Sequence, residues 1–270
     1  MANNISPIGV FDSGVGGLSI LRTLQVELPN EPILYIGDQA HVPYGSRPAE
    51  EIRDFSESIT RYLINQGAKL VVVACNTASA AALLHLRETF PETPIVGMTP
   101  SVKQAAAHTQ TGAVGVLATA ATFEGKLYAS KVEKYGDGLT ILEDTCAGLV
   151  EQIEKGILNG GKTQEILTRA LLPMVKHDID AVILGCTHYP FAGDQIQQIV
   201  GDQVRLIDSS PAVVQRVKEI LQNRNLLNEH EIQTETRILT TGNLEALKQF
   251  TSLVKAKGAL EEISWNVLKS

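Results

Sequence analysis

Two short segments carry the residues best suited to chemistry: Val73-Ala74-Cys75-Asn76-Thr77-Ala78-Ser79 and Leu184-Gly185-Cys186-Thr187-His188-Tyr189-Pro190. Each sets a cysteine just after an apolar run and follows it at once with small hydrogen-bonding residues. A thiol can accept or return a proton, or attack a carbon, once part of it is thiolate. Free amides at a helix start and basic neighbours both raise that part. One device used twice suggests chemistry applied to a substrate from two opposite sides. The plainer alternative for each is a buried cysteine acting as a small hydrophobe, and for His188 a satisfied core histidine. Cys75 with Cys186-x-His188 would give three soft metal ligands. No CxxC or HxxxH spacing supports them, so no metal is expected. Cys146 lacks the strand-end context and reads as structural, or at most near a pocket.

Other polar segments fall at similar places. Asp12-Ser13-Gly14-Val15-Gly16-Gly17 follows the strand-like Ile8–Phe11 and precedes the helix-like Leu18–Leu28. Its glycines permit a sharp turn and its amides attract anions, though it is not the GxGxxG dinucleotide fingerprint. The alternative is a plain turn capped by Asp12 or Ser13. Gly37-Asp38-Gln39-Ala40-His41-Val42-Pro43-Tyr44-Gly45 reads as a polar loop able to close over a small substrate, with Asp38 equally a local turn former. Thr119 and Thr122 extend the polar rim at a third strand end, and Thr122 reads equally as an N-cap.

The elements that must hold these residues alternate between β and α. Ile8–Phe11, Ile33–Ile36, Leu70–Ala74, Ile95–Gly97, Val114–Ala118, Leu139–Leu142, Ala181–Leu184, Val204–Ile207 and Arg237–Thr240 read as strands. Several are apolar at consecutive positions, as parallel strands covered on both faces are. Lys162–Lys176 repeats apolar residues at helical spacing, and Pro173 predicts a kink or an early end. The alternation predicts an α/β fold with a doubly wound, mostly parallel sheet, which binds ligands outside the carboxyl ends of its strands. The proline-rich stretch 91–100 and Ser209-Ser210-Pro211 read as two crossings between lobes.

Composition narrows the class. With 270 residues, 44% of them hydrophobic, the chain can build one large or two medium cores. A net charge of −7 without a Lys/Arg cluster gives no electrostatic footprint for nucleic acid or an anionic membrane. The apolar runs ending at Ala74 and Leu184 are far shorter than a membrane span. Residues 1–7 show neither a basic nor an apolar signal region, and three cysteines form no disulfide framework; a cytoplasmic protein is expected.

With these segments together, the chain resembles the glutamate racemases of the aspartate/glutamate racemase superfamily. GVFDSGVGGLS, GDQAHVPYGSRP, VVACNTAS, GVLATAAT and LGCTHYPF carry the resemblance in order and spacing, and Ile238-Leu239-Thr240-Thr241-Gly242 resembles the last strand and turn. The resemblance implies two doubly wound, mostly parallel α/β lobes with the active site between them. Residues 1–97 plus 209–270 would form the first lobe and residues 98–208 the second. It implies cofactor-independent interconversion of L- and D-glutamate for peptidoglycan, with Cys75 and Cys186 as the acid and base. The Cys75 side would serve D-glutamate and the Cys186 side L-glutamate. Asp12, His188 and Glu154 would assist the thiols. Asp12, Ser13, Pro43, Tyr44, Gly45, Asn76, Thr77, Thr119, Thr122, Thr187 and His188 would hold the substrate, and the assembly would be a homodimer.

Some positions depart from that pattern. Many members have Thr-Ala-Arg-x-Pro-Tyr-Gly where Gln39-Ala40-His41-Val42-Pro43-Tyr44-Gly45 stands here, and Glu-Pro after Gly97 where Met98-Thr99-Pro100 stands. Other readings stay open. An aspartate or other amino-acid racemase would share the two thiols. A cysteine amidohydrolase would pair Cys186 with His188 and leave Cys75 dispensable. A binding protein would typically have lost one thiol. Pyridoxal phosphate is unsupported, since Lys69 precedes its strand and no other lysine stands at a strand's carboxyl end.

Overall fold

The structure is a computed structural model that describes residues 4–229 and 235–269. The chain divides into two compact units, residues 1–98 with 210–270 and residues 99–209. Chain order through the first stretch of unit 1 is β1 (Ile8–Asp12), α1 (Leu18–Glu27), β2 (Ile33–Gly37), α2 (Ala49–Asn65), β3 (Leu70–Val73), α3 (Asn76–Thr89) and β4 (Ile95–Gly97). Unit 2 follows with α4 (Val102–His108), β5 (Ala113–Leu117), α5 (Ala120–Phe123), α6 (Lys126–Tyr135), β6 (Thr140–Asp144), α7 (Leu149–Glu154), α8 (Gly161–Val175), β7 (Ala181–Leu184), α9 (Gly193–Val200) and β8 (Arg205–Asp208). The chain returns to unit 1 as α10 (Ser210–Asn223), β9 (Thr236–Thr240), α11 (Leu244–Val254), β10 (Ala259–Glu262) and α12 (Trp265–Leu268).

Each unit is built on a parallel sheet. The order is β10-β9-β2-β1-β3-β4 in unit 1 and β6-β5-β7-β8 in unit 2. The inner strands β1, β2, β3, β5 and β7 are buried at every position, as sheets covered by helices on both faces require. Helices supply the cover with one apolar stripe each. In α2, Ile52, Phe55, Ile59 and Leu63 recur at helical spacing and are buried, while Glu50 and Glu51 occupy the first turn, where the helix dipole favours negative charge.

One expectation from sequence needs correction, and one strand goes unread. Of the two effects expected of Pro173, shortening is not seen: α8 runs on to Val175. It lies on the exposed face one residue into the last turn, where the carbonyl its missing N–H leaves free faces solvent rather than the core. β10 goes unread in the sequence because Ala259-Leu260-Glu261-Glu262 is short, half acidic and pairs only with β9 at the sheet edge. Smaller shifts occur at strand ends; the sixth strand runs Thr140–Asp144 rather than Leu139–Leu142.

Both sheets reverse their winding at one place. From β1 the chain steps to β2 on one side, and β3 and β4 build out on the other, so the switch lies between β1 and β3. In unit 2 the corresponding switch lies between β5 and β7. Open α/β sheets form their ligand crevices at such points, beyond the carboxyl ends of the strands. Among the described residues, no helix is long and apolar enough to cross a membrane.

Candidate active site

In unit 1 the register pairs Phe11 with Val73, and the Ala74 N–H donates to the Phe11 carbonyl at 2.8 Å. The chains leaving β1 and β3 therefore emerge side by side with Asp12 and Cys75 at their tips. The turn after β1 needs its glycines. A Cβ on Gly17 would lie 2.6 Å from the Asp12 Cβ and 3.0 Å from the Tyr35 hydroxyl, so only glycine lets the helix start pack on the strand ends. Asp12 is buried and accepts from the Gly14 N–H at 2.9 Å, a local turn bond rather than a helix cap, since α1 has Gly17 at its N-cap with no side-chain cap.

Cys75 is the N-cap of α3. Its Sγ accepts from the Ala78 N–H at 3.4 Å and its thiol donates to Ser13 Oγ at 3.6 Å. An amide aimed at sulfur from a helix start favours the anionic form. Asn76 opens the helix with its side chain 3% exposed, and neither its amide oxygen nor its amide nitrogen has a hydrogen-bond partner. A buried amide with both ends unsatisfied costs on the order of 1–3 kcal/mol, so a polar ligand is what this side chain fits. Thr77 lies buried in the same turn.

Pro43, Tyr44 and Gly45 sit where a short turn, Tyr44–Ser46, follows the loop after β2. Tyr44 is buried and its hydroxyl donates to Asp38 Oδ2 at 2.7 Å. Burial first, then the Asp38 carboxylate, then the charges of Cys75 and Asp12 hold its phenol well above the ordinary range, so it stays a neutral donor. Asp38 is more than a local turn former: Thr241, after β9, also donates to it at 2.7 Å. This pairing across 203 positions has no signal in local sequence.

Unit 2 repeats the arrangement. Leu117 pairs with Leu184 and the Gly185 N–H donates to the Leu117 carbonyl at 2.7 Å, which brings the tips of β5 and β7 together. Thr119 caps α5, and its hydroxyl lies 2.9 Å from that of Thr122; the cap is thus Thr119, with Thr122 buried as its partner. Cys186 is buried at the tip of β7, with Thr187 and His188 buried beside it. Its Sγ lies 3.8 Å from His188 Nδ1, and His188 Nε2 lies 2.6 Å from Glu154 Oε1. Glu154 thus meets the histidine that flanks the thiol. Burial pushes the His188 pKa down, but the contacts with Cys186 and Glu154 outweigh it, and the net direction is well above the ordinary histidine value. The core-histidine alternative is half right: both ring nitrogens are engaged, one of them by a thiol.

Cys146 is buried beside this cluster, with Cys186 among its charged neighbours, and burial pushes its thiol far up. That is the inert environment of a structural cysteine. Tyr189, which the sequence reading passes over, is buried with its hydroxyl on the Thr145 carbonyl at 3.0 Å. Lys69 stands before β3, at the opposite end of that strand from Cys75. It is buried in an ion pair with Glu31 at 2.5 Å and donates to the carbonyls of Asn4 and Leu226. It has no route to Schiff-base chemistry at the thiol. Among the described residues, no group of three or more His, Cys, Asp or Glu side chains is placed to hold a metal ion.

Gly185 offers a test of how tightly this tip is built. A Cβ there would lie 2.8 Å from the Leu117 carbonyl oxygen and 2.9 Å from the Ala118 Cβ. Gly185→Ala is expected to lower unfolding free energy by about 1–3 kcal/mol, read by urea denaturation. A midpoint equal to that of the unsubstituted protein would contradict the packing described.

A doubly wound parallel sheet with a buried thiol and its polar partners at the switch point, present once in each unit, defines an α/β protein with one thiol at the ligand edge of each sheet. A family model for Asp/Glu/hydantoin racemases matches residues 17–217. The glutamate racemase of Roseiflexus sp. (strain RS-1) is 46% identical over 249 residues, covering 92% of this chain and 90% of that one. Among solved structures, glutamate racemase isoform RacE1 from Bacillus anthracis aligns with TM-score 0.84 at 32% identity over 96% of this chain and 98% of that one. The Francisella tularensis glutamate racemase in complex with D-glutamate aligns with TM-score 0.83 at 32% identity over 97% and 98%. The chain belongs to the Asp/Glu/hydantoin racemase family.

Proposed function

We propose that the protein interconverts L- and D-glutamate by moving the Cα proton with two thiols, Cys75 and Cys186, and so supplies D-glutamate for peptidoglycan. The observation that carries this reading is the duplicated tip: each unit holds one buried thiol at its switch point, one contacting Ser13 and the other His188. The relatives support the choice of substrate, with glutamate racemases at 42–46% identity and one solved structure holding D-glutamate.

The chemistry follows from the stereocentre. A base on one face of Cα can remove the proton, but inversion needs a proton delivered to the other face. With L-glutamate one thiolate takes the proton while the opposite thiol gives its own; with D-glutamate the roles reverse. By resemblance the Cys186 side takes the proton from L-glutamate and the Cys75 side from D-glutamate. Ser13 and Asp12 flank the first thiol, and His188 backed by Glu154 flanks the second. Asn76, Thr77, Thr187 and the Pro43-Tyr44-Gly45 turn offer donors and acceptors for the substrate's carboxylates and ammonium. Thr119 and Thr122 add two hydroxyls at the β5 tip. Hydrogen bonds to the α-carboxylate grow stronger as carbanion charge develops there, which lowers the barrier.

The test is circular dichroism of L-glutamate with the purified protein in D₂O, with no cofactor added. Ellipticity decaying to zero with deuterium appearing at Cα supports the reading. An unchanged L-glutamate signal beside a decaying L-aspartate signal would keep the mechanism and remove the substrate.

A further inference from the structure

One buried polar cluster in unit 1 is left unused by proton transfer. Asp38 is fully buried just beyond β2 and accepts from the hydroxyls of Tyr44 and Thr241, both at 2.7 Å. His41 Nδ1 lies 2.9 Å from both of its carboxylate oxygens, and the Asp38 N–H donates to the Asp12 carbonyl at 2.9 Å. A carboxylate saturated by three side chains and anchored to the next strand has one orientation. The Tyr44 hydroxyl is committed to it, so Tyr44 works by pinning the Pro43-Tyr44-Gly45 turn.

The histidine is held in turn. Its ring stacks on Phe55 with centroids 4.2 Å apart and meets Trp265 at 4.5 Å, while Trp265 meets Phe55 edge-on at 5.3 Å. Charged groups near this stack include Arg47, which donates to the His41 carbonyl, lies over Phe55 and pairs with Glu51, and Lys269, over Trp265. Trp265 opens α12, so a run of contacts leads from the last helix of the chain to the turn beside Cys75.

We infer that Asp38 is a positioning residue for substrate binding, which fixes the Pro43-Tyr44-Gly45 turn through Tyr44, and that α12 sets its orientation through Trp265 and His41. This rests on the reading that the turn holds glutamate. Trp265 is the single tryptophan of the chain, so its emission reports on the stack without any assay of turnover.

Racemisation kinetics and tryptophan emission titrated with D-glutamate test it. Asp38→Asn and Trp265→Ala are expected to raise KM roughly tenfold with kcat within about threefold, and Trp265→Phe, which keeps a ring in place, to stay within about twofold in KM. An amide at position 38 offers one oxygen where three donors now converge. Emission of the unsubstituted protein is expected to change saturably with D-glutamate, and Asp38→Asn is expected to lose that change over the same range. Wild-type KM in Trp265→Ala overturns the inference, and so does a fall in kcat at constant KM in Asp38→Asn. If Asp38→Asn fails to fold, Trp265→Ala decides. Absence of glutamate turnover in the unsubstituted protein would instead remove the parent reading.

Discussion

Cys186→Ser is expected to lower glutamate racemisation about 10³-fold, and Cys75→Ser to do the same. A serine hydroxyl has the size and position of the thiol but is a far weaker acid, so at neutral pH it neither holds useful alkoxide nor gives up a proton readily. The two losses should also be equal in both directions. Enantiomers have the same free energy in water, so the equilibrium constant is one, and kcat/KM for L-glutamate must equal that for D-glutamate in the native protein and in every variant. A one-sided loss of kcat/KM is therefore thermodynamically barred, whichever face each thiol serves. Initial rates by circular dichroism from each enantiomer check this. Either variant within tenfold of the native rate would remove its thiol from the proton path. Full racemisation in Cys75→Ser alone would leave Cys186 as the thiol of a one-base inversion.

Much of the architecture is legible in the sequence for one reason: strands buried on both faces must be apolar at consecutive positions. Ile33–Gly37, Leu70–Val73 and Ala181–Leu184 announce themselves that way. β10 does not, because an edge strand with half-exposed residues carries no such run. Pro173 misleads because a proline rule for helix interiors loses force in a last, solvent-facing turn. The thiols are equally legible, since each follows an apolar run directly and a parallel sheet places that point at its ligand edge. The long-range partners around the two tips are harder to read. Glu154 meets His188 from 34 positions away, and Thr241 meets Asp38 from 203. Such pairings depend on which strand ends lie side by side, a property of sheet order that local patterns do not carry. The unsatisfied amide of Asn76 is also silent in sequence, because only burial turns an ordinary helix-start asparagine into a group that lacks a partner.

The second large effect concerns the proton beside Cys186. His188 is buried, 3.8 Å from the thiol and 2.6 Å from Glu154, and its pKa lies well above the ordinary value because those two contacts outweigh burial. His188→Asn is expected to lower kcat/KM about a hundredfold, the scale of a lost acid–base partner. Glu154→Gln is the sharper experiment. It keeps the shape and an acceptor oxygen while removing the charge that stabilises imidazolium in a buried site. The His188 pKa should then fall, and the alkaline limb of the kcat/KM profile that depends on imidazolium should move to lower pH. Stability carries the same signature. A folded pKa raised above the unfolded value of about 6.5 contributes stability that is fully present below that value and is lost as pH rises through the folded pKa. The native protein should therefore lose part of its stability on going from neutral to alkaline pH, and Glu154→Gln should lose less over the same window. Thermal midpoints measured across neutral and alkaline pH, beside NMR titration of the His188 ring protons, read both quantities. A Glu154→Gln ring whose pKa is at or above that of the native ring would mean that the carboxylate orients His188 without charging it.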